Sequence, residues 1–487
     1  MPEQQSAAAG SGKQGFLLQG RWTTSEKTYP LRNPYDGSLL AEVCNADPSQ
    51  VEQALAGAAA AFESFRKLSA YTRATILRKL SDLIRQNGAR LAELLAREVG
   101  KPLKAARVEV ERATFTFAWA AGEAERMGGE VIRFDLGANA DRRFGLTRWF
   151  PRGPVLAITP FNFPLNLAAH KLAPAIAVGN PVILKPPNMG VLTSLALGEL
   201  AFEAGLPPEA LSVIRCESTV AEEMVRDDRI KVLSFTGSPL VGWALKQKAG
   251  KKQVTLELGG NAAVIVDRTA DLEFAAKRSV AGAYSYAGQS CISVQRIYVH
   301  RSVFDDFLER FLQGTRALKT GDPRDESTDV GPMITRQAAQ QALAWTHGAV
   351  AAGARLVLEP QLEGSVLSPG ILAEVADSES ICREEIFAPL VVINPYETAG
   401  EALQRVNDSR FGLQAGVFTR DLNLAMRAFE ELEVGGVLIN EVPTYRLDHM
   451  PYGGVKDSGF GREGLKYAIQ EMCEPKLLVL NFGEMES

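Results

Sequence analysis

From residue 153 onward, the chain alternates short apolar runs with segments of helical length, and this alternation constrains the fold more than any other feature. Apolar runs occur at Val155–Ile158, Val182–Leu184 and Leu211–Ile214, and each is followed by a helix-length segment. The pattern continues at Lys231–Phe235 and restarts at Ala262–Val266. Such alternation is typical of βαβ units in a parallel, doubly wound sheet. The sequence therefore predicts two α/β domains, with later strands at Arg296–Val299, Val391–Asn394 and Ala415–Phe418.

Two segments outside this alternation have different patterns. Residues 47–127 have helical periodicity, and Asp47-Pro48-Ser49-Gln50 offers a capping box with proline in the first turn. Residues 130–150 are polar and predict two strands around a turn at Gly137-Ala138-Asn139. A long polar hairpin fits poorly in a monomer's core, so we expect it to project towards another subunit. A late strand is predicted at Lys476–Leu480.

The composition is that of an ordinary globular protein and argues against several function classes. Among 487 residues, 53 are Lys or Arg and 58 are Asp or Glu, for a formal net charge of −5. This balance provides neither a basic footprint for nucleic acid nor a polybasic membrane patch. Five scattered cysteines without CxxC spacing, and four histidines, suggest no disulfide framework and no metal site. Because the N-terminal residues lack the apolar region of a secretory signal, we expect a cytoplasmic protein.

The first candidates for function are polar residues at the carboxyl ends of the predicted strands, where open α/β sheets bind ligands. Thr159-Pro160-Phe161-Asn162 follows the first strand, and Lys185 ends the second. Gly237-Ser238 connects the fourth strand to a helix, where free backbone N–H groups suit a pyrophosphate. Glu257 closes a further strand, beside two glycines that permit close backbone approach.

Two more candidates come from the second half of the chain. Cys291 follows a helix in a glycine-containing turn, where a thiol can be exposed and activated. Glu385 belongs to the acidic–aromatic segment Glu384–Phe387. Each candidate alone has an ordinary structural explanation. Gly237-Ser238 could simply be the start of a helix, Glu257 could be a solvated surface residue, and Cys291 could be a buried structural thiol. Glu384–Phe387 could be no more than a helix cap or an exposed acid pair.

Together these segments are far more specific than any one of them. In their order along the chain they resemble the motifs of NAD(P)-dependent aldehyde dehydrogenases, essentially over the full length from about Gly15. The segments are Thr159–Leu165, Lys185-Pro186, Phe235–Ser238, Leu256–Gly260, Gly288–Cys291, Glu385–Phe387 and Pro451–Gly454. The resemblance implies an α/β fold like that of aldehyde dehydrogenases, with two doubly wound domains and a small β element for oligomerisation.

The same resemblance implies a division of the chain. Residues 15–129 and 151–255 are expected to form a Rossmann-like cofactor-binding domain, and residues 256–450 a catalytic domain. Residues 130–150 and 467–487 correspond to the oligomerisation element, which agrees with the polar hairpin noted above. A homodimer or homotetramer is implied, with a small-molecule aldehyde as the substrate.

The catalytic roles implied by the resemblance fall on three residues. Cys291 is the nucleophile whose thiolate attacks the aldehyde carbon to form a thiohemiacetal. The side-chain amide of Asn162 and the backbone N–H of Cys291 form the oxyanion hole. Hydride transfer to the nicotinamide then leaves a thioester. Glu257 is the general base that activates Cys291 or the water that hydrolyses the thioester.

The cofactor is implied to contact a second set of residues. Lys185 would reach the adenosine ribose, Gly237 and Ser238 the pyrophosphate, and Glu385 the nicotinamide ribose. The whole implied set is Thr159, Pro160, Phe161, Lys185, Gly237, Ser238, Glu385 and Phe387, the last packing against the nicotinamide ring.

Two departures from the family pattern concern the choice between NAD and NADP. Asn188 stands three positions after Lys185, where the family often has a Glu that contacts the ribose hydroxyls. Loss of that carboxylate removes a repulsion against a 2′-phosphate. Arg215, after the third strand, is interpreted either as a surface residue or as a 2′-phosphate contact, and the surface position is preferred. Both cofactors therefore stay open, with NAD favoured over NADP.

Three alternatives to an aldehyde dehydrogenase that hydrolyses its thioester are open. A CoA-acylating semialdehyde dehydrogenase typically lacks the Glu that stands here as Glu257. A non-catalytic protein on the same fold would have lost Cys291, Glu257 or Asn162, and all three are present. A cysteine hydrolase of unrelated fold would need a His near the Cys motif.

The substrate itself is predicted only as a class. Asp448–Pro451 and Asn261–Ala263 resemble the lactaldehyde and semialdehyde branch, which implies a small polar or semialdehyde substrate. Arg112 and Arg446 are candidates for an acidic or phosphorylated substrate tail, with salt bridges or surface positions as the preferred explanation. The residues expected near the substrate mouth are Phe161, Phe163, His170, Tyr284, Tyr286, Tyr445 and His449.

Overall fold

The predicted parallel strands form the largest sheet of the molecule, named here the first sheet. The computed structural model describes residues 12–137 and 142–483, and within them this sheet has eight strands. In spatial order they are Gly459–Phe460, Gln253–Glu257, Val232–Thr236, Val155–Ile158, Val182–Lys185, Leu211–Val213, Phe16–Leu18 and Arg21–Thr23. The strands between Gln253–Glu257 and Leu211–Val213 are parallel, and antiparallel strands close both edges. The prediction of a parallel, doubly wound sheet is confirmed.

The second half of the chain builds another α/β layer, named here the second sheet. In spatial order, its strands in the described part of the chain are Arg355–Leu358, Gly370–Ala373, Leu390–Tyr396, Val294–His300, Ala262–Val266, Gln414–Phe418 and Gly436–Ile439. All neighbours are parallel except the antiparallel edge strand Arg355–Leu358. The restart of the pattern at Ala262–Val266 therefore marks a second sheet, as predicted.

The direction of chain travel in the first sheet places a ligand crevice. The chain enters at Val155–Ile158, moves one way to Val182–Lys185 and Leu211–Val213, and then returns to the other side at Val232–Thr236. Ligands of open α/β sheets bind beyond the carboxyl ends of strands at such a reversal point. The candidate residues Thr159 to Asn162 follow the strand from which the two directions diverge.

Helices cover both sheets. In chain order they are Pro48–Phe65, Ala70–Gln86, Gly88–Val99, Leu103–Arg126, Asn166–Val178, Val191–Glu203, Ser218–Arg226, Pro239–Lys248, Leu272–Tyr284, Phe304–Arg316, Arg336–Ala351, Ser380–Arg383, Ala399–Asn407, Leu422–Glu431 and Leu465–Glu471. Single 3₁₀ turns occur at Pro208–Ala210, Ser285–Gly288 and Arg301–Val303. None of the described helices is both long and apolar enough to cross a bilayer.

The predicted N-terminal helical region is confirmed, with one helix that the sequence analysis did not separate. Asp47 accepts a hydrogen bond from the backbone N–H of Gln50, and the Gln50 side chain accepts one from the Asp47 N–H. This is the predicted capping box, with Pro48 in the first turn. Only Asn87 separates helix Gly88–Val99 from the preceding helix, so the periodicity alone did not show a break.

The predicted hairpin forms part of a small antiparallel sheet, named here the C-terminal sheet. Its strands are Cys473–Asn481, Arg143–Pro151 and Val131–Ile132. The first hairpin strand is shorter than predicted. Of the predicted turn, Ala138 and Asn139 lie outside the described residues. The late strand extends beyond Lys476–Leu480 in both directions, and helix Leu465–Glu471 precedes it.

Short strands at the N-terminus were not predicted. Lys13–Gln14, Leu39–Cys44 and Thr28–Arg32 form a sheet in that spatial order, and Phe16–Leu18 with Arg21–Thr23 extends the first sheet. Two further antiparallel strand pairs are formed by Leu362–Glu363 with Val366–Leu367 and by Phe411–Gly412 with Val455–Lys456.

Candidate active site

A cleft of about 700 Å³ is lined by residues from both halves of the chain and contains most of the predicted site. The predicted residues that line it are Pro160, Phe161, Asn162, Gly237, Ser238, Glu257, Cys291, Glu385 and Phe387. Thr159 and Lys185 do not line it. A larger groove of about 1240 Å³ lies beside the C-terminal sheet and contains none of the predicted residues.

Cys291 is presented to the cleft by a tight turn. Three consecutive residues before it, Tyr286, Ala287 and Gly288, have left-handed backbone conformations with φ of 50°, 52° and 68°. A Cβ added to Gly288 would lie 2.2 Å from the carbonyl oxygen of Ala388, so no other residue fits there without movement. The turn leaves the Cys291 side chain partly exposed, just before strand Val294–His300. The alternative of a fully buried structural thiol is therefore not supported.

The thiol has a polar neighbour that the sequence analysis did not name. The hydroxyl of Tyr452 lies 3.2 Å from Cys291 Sγ. Burial raises the pKa of Cys291 to about 12, and the contact with Tyr452 opposes that rise. In the sequence, the only sign of this neighbour was that the aromatic residue of the motif Pro451–Gly454 is a tyrosine and therefore carries a hydroxyl.

Asn162 lies beside the cysteine turn, and its backbone is held by a buried ion pair. Its side-chain Nδ2 donates to the carbonyl of Gln289, at 3.1 Å, two residues before Cys291. Its own carbonyl accepts from Lys101 Nζ at 2.7 Å. Lys101 is fully buried and paired with the equally buried Glu109. The sequence analysis gave neither of these two residues a role, and together they fix the segment that carries Asn162.

Two buried glutamates lie near the thiol in very different surroundings. Burial raises the pKa of Glu257 well above its ordinary range, the negative charge of Glu463 raises it further, and both Glu257 oxygens lack a hydrogen-bond partner within the described chain. A Cβ on Gly453 would lie 3.0 Å from Oε1 of Glu257, so a glycine makes room for the carboxylate. Glu463 is also desolvated, but Lys171, 3.1 Å away, outweighs this and lowers its pKa to about 2. Glu257 is therefore not the solvated surface acid considered as its ordinary explanation.

Two arginines, Arg112 and Arg446, are among the residues that line the cleft. Arg112 is ion-paired with Asp448 at 2.7 Å, and Arg446 with Glu463 at 3.2 Å. The expected salt bridges are therefore present, but both arginines also line the cleft. Nε of Arg446 is buried and has no hydrogen-bond partner in the described part of the chain.

The predicted aromatic lining is partly correct. Phe161, Phe163, Tyr286 and Tyr445 line the cleft. His170, Tyr284 and His449 do not. His170 is buried with Nε2 2.8 Å from Asp448, and burial lowers its pKa. Tyr284 is buried in the core of the second half of the chain, and His449 stacks on Trp119 with ring centroids 4.7 Å apart. These three belong to the packing behind the cleft.

On the predicted cofactor side, Glu385 and Phe387 lie opposite the first sheet. Glu385 Oε1 accepts from the backbone N–H of Gly260 at 3.0 Å, and burial raises the pKa of Glu385 to about 7. Phe387 packs edge-on against Phe161 at 5.9 Å between ring centroids. Ser238 precedes helix Pro239–Lys248 and makes no side-chain capping bond, which leaves first-turn N–H groups free for an anion.

Arg215 is not a surface residue, and the preferred sequence interpretation is wrong on this point. Its residue is only 4% exposed, and the guanidinium lies 4.3 Å from the centre of the Tyr29 ring. Nε and Nη1 are buried without a hydrogen-bond partner in the described chain, and Glu217 is 3.7 Å from Nη1. Two nitrogen atoms of this guanidinium are therefore buried without a hydrogen bond, which is costly.

Known proteins resemble this chain over nearly its full length. The model of the aldehyde dehydrogenase family matches residues 22–478. A 3-sulfolactaldehyde dehydrogenase from Priestia aryabhattai is 43% identical, covering 96% of this chain and 98% of the relative. Aldehyde dehydrogenase 21 from Physcomitrella patens, solved with its reaction product succinate, has a TM-score of 0.95 at 40% identity, covering 98% of this chain and all of that one. A glyceraldehyde-3-phosphate dehydrogenase from Methanocaldococcus jannaschii, complexed with NADP, has a TM-score of 0.90 at 36% identity, covering 94% of this chain and all of that one.

Proposed function

The chain belongs to the aldehyde dehydrogenase family and is an NAD(P)-dependent aldehyde dehydrogenase, and we propose that it converts a short anionic aldehyde to the carboxylic acid by hydrolysis of a cysteine thioester. One observation carries the proposal. Cys291, Asn162 and Glu257 meet in a single cleft, and Glu385 with Phe387 lines its other side.

The proposed reaction assigns a step to each of the three residues. The Cys291 thiolate attacks the aldehyde carbon, while the second N–H of the Asn162 amide and the backbone N–H of Cys291 hold the developing oxyanion. Gly237, Ser238, Glu385 and Phe387 would hold NAD(P)+, which would supply the hydride acceptor for that carbon. Glu257 takes a proton from water, whose oxygen attacks the resulting thioester. The C–S bond breaks, the acid leaves, and Cys291 is free again.

The cofactor proposal favours acceptance of NADP. Asn188 carries no charge to repel a 2′-phosphate, and Arg215 offers buried N–H groups that lack a partner. Burial lowers the pKa of Lys185, and the nearby positive charge of Arg215 also lowers it. Two neighbouring cations of this kind are better neutralised by a phosphate than by a bare ribose. This revises the initial preference for NAD.

The substrate proposal rests on the two cleft arginines. Arg112 and Arg446 line the cleft, and Nε of Arg446 is buried without a hydrogen-bond partner among the described residues. This pair of guanidinium groups suits a carboxylate or sulfonate at the far end of a short aldehyde. The names of the similar proteins agree with this class, since one acts on 3-sulfolactaldehyde and another was solved with succinate.

The test is the formation of reduced cofactor across paired substrates. Succinic semialdehyde and 3-sulfolactaldehyde should turn over with a kcat/KM about tenfold or more above uncharged butyraldehyde and lactaldehyde. Each is run with NAD and with NADP, and with CoA present and absent. Turnover without CoA supports thioester hydrolysis, whereas a strict requirement for CoA would overturn it. Equal rates for charged and uncharged aldehydes would overturn the substrate class.

A further inference from the structure

Tyr452 lies against the reacting sulfur and is not part of the mechanism above. Its hydroxyl oxygen is 3.2 Å from Cys291 Sγ and is the only hydrogen-bond partner of that sulfur in the described part of the chain. The two side chains also share a small apolar cluster with Ile292 and Leu413. The phenol therefore approaches the sulfur directly, with no bridging group.

Several independent contacts hold the Tyr452 ring in place. Its backbone N–H donates to the carbonyl of Glu463 at 3.0 Å, and the N–H of Glu463 donates back at 2.7 Å. The guanidinium of Arg446 lies 3.5 Å from the ring centre. The residue is 4% exposed. A ring fixed by backbone, cation and packing keeps its hydroxyl at one position, which is what a preorganised donor requires.

The direction of the hydrogen bond follows from the charge of the sulfur. A thiolate carries no hydrogen, so the phenol must be the donor once the thiol proton has left for a base. Burial raises the pKa of Tyr452 well above its ordinary value, so the phenol keeps its proton throughout the working pH range. When the C–S bond forms, sulfur becomes a neutral thioether and a weak acceptor. The bond therefore stabilises the free thiolate more than the adduct.

We propose that the Tyr452 hydroxyl is a catalytic hydrogen-bond donor that maintains the Cys291 thiolate before it attacks the aldehyde. The inference rests on the proposed role of Cys291 as the nucleophile. Pro451–Gly454 is one of the seven segments that carry the resemblance to the family, and the proposed mechanism gives it no chemical role. The Tyr452 hydroxyl provides that role.

Loss of the Tyr452 hydroxyl has two opposing effects on the reactivity of Cys291. Loss of a hydrogen bond to a charged group should raise the thiol pKa by about one unit, which reduces the thiolate fraction about tenfold. The more basic thiolate that remains is intrinsically about threefold more nucleophilic, given the usual dependence of reactivity on pKa. The net loss of reactivity below the thiol pKa is therefore about threefold.

The experiment measures the thiol itself and needs no aldehyde. The full chain and its Tyr452→Phe variant are treated with iodoacetamide from about pH 6 to about pH 10, and alkylation of Cys291 is followed by peptide mass spectrometry. The other four cysteines are buried, which favours modification at Cys291. Tyr452→Phe removes one oxygen and keeps the ring contacts. Tyr445→Phe is the matched control, because Tyr445 lines the same cleft without a hydrogen bond to Sγ.

The expected result is alkylation about threefold slower in Tyr452→Phe at every pH below the thiol pKa, with an unchanged rate in Tyr445→Phe. If the titration falls inside the range, the two curves cross, because the variant is faster once both thiols are ionised. Identical curves for the wild type and Tyr452→Phe, or equal slowing in both variants, would overturn the inference. A protein that shows the shift but oxidises no aldehyde would overturn the proposed function and, with it, the catalytic role of Tyr452, whereas the hydrogen bond from Tyr452 to the thiolate would stand.

Discussion

The two buried glutamates of the cleft have identical side chains, but their different surroundings give them different protonation properties. Glu257 has no hydrogen-bond partner among the described residues, and its raised pKa suits a group that must accept and release a proton. Glu463 is desolvated to a similar degree, but Lys171 and Arg446 keep it ionised. One carboxyl is therefore suited to general-base chemistry, and the other supplies a fixed negative charge.

Glu257→Gln should separate the formation of the thioester from its hydrolysis. Without a general base for water, we expect one equivalent of reduced cofactor in a burst, followed by a steady rate at least about 100-fold below that of the wild type. Stopped-flow absorbance of the reduced nicotinamide measures both phases. Glu430→Gln, an exposed carboxylate on helix Leu422–Glu431, is the control and should behave like the wild type. An unchanged steady rate in Glu257→Gln would remove Glu257 from the role.

Glu463→Gln should shift the pH dependence of turnover to lower pH. A base works when deprotonated, so the rate rises as pH passes upward through the pKa of Glu257. The charge of Glu463 raises that pKa, whereas Lys171 and Arg446 lower it. Removing the negative charge alone should therefore lower the pKa of Glu257. The pH profile of kcat measures the shift, and a limb that stays in place or moves to higher pH contradicts the electrostatic account.

Residue identities were predictable from motifs, but their neighbours were not. Cys291, Asn162 and Glu257 were all named from the sequence and share one cleft. Arg215 was placed on the surface because nothing local indicates that Tyr29, far away in the sequence, covers it. Tyr452 was overlooked for a similar reason, since its partner Cys291 is 161 positions away. Burial and pairing across such separations are properties of the packed chain.

At the scale of elements, the C-terminal strand Cys473–Asn481 has an unusual surface. Leu477, Leu478, Val479 and Leu480 are each between 41% and 52% exposed, on both faces of the strand. Contiguous exposed apolar surface of this kind marks an interaction site. We propose that a second copy of the chain covers this strand, in agreement with the predicted oligomerisation element.

A charge in that strand should weaken the oligomer. Val479→Asp would bury a carboxylate against apolar surface, so we expect a shift towards monomers by about tenfold or more in dissociation constant. Light scattering coupled to size exclusion measures the mass over a dilution series. Lys466→Asp, at an exposed position on the adjoining helix, should leave the mass unchanged. A wild type that is monomeric at every concentration would contradict the proposal.

The elements that the sequence predicted share a clear physical signal. Parallel strands buried on both faces appear as continuous apolar runs, and Val155–Ile158 and Ala262–Val266 match the structure to the residue. The N-terminal strands lack such a signal. Lys13–Gln14 is only two polar residues, and its pairing with Leu39–Cys44 defines it as a strand. Short elements of this kind depend on their partners.

For the whole molecule, the buried ion pair of Glu463 predicts how acid affects stability. A carboxyl whose pKa is depressed in the folded state contributes stability above its unfolded value, ordinarily 4.5, and loses it as pH falls through the folded value, here about 2. The difference corresponds to about 3 kcal/mol. Wild-type unfolding free energy should therefore fall between about pH 5 and pH 2 by more than that of Glu463→Gln. Urea titrations at several pH values test this, and parallel losses would exclude Glu463 as a source.

The edge strand Gly459–Phe460 determines whether the chain can be divided into two independent halves. After building the second sheet, the chain crosses back and pairs with Gln253–Glu257, the strand that carries Glu257. Close to that edge, Glu463 meets Lys171, which belongs to the first half. A gene cut just before Ala262, where the sequence pattern restarts, would therefore separate an open-edged sheet from its own last strand. Although the enzyme has two large sheets, the two halves of its gene must be inherited together. Recombination could not transfer either half alone as a complete module.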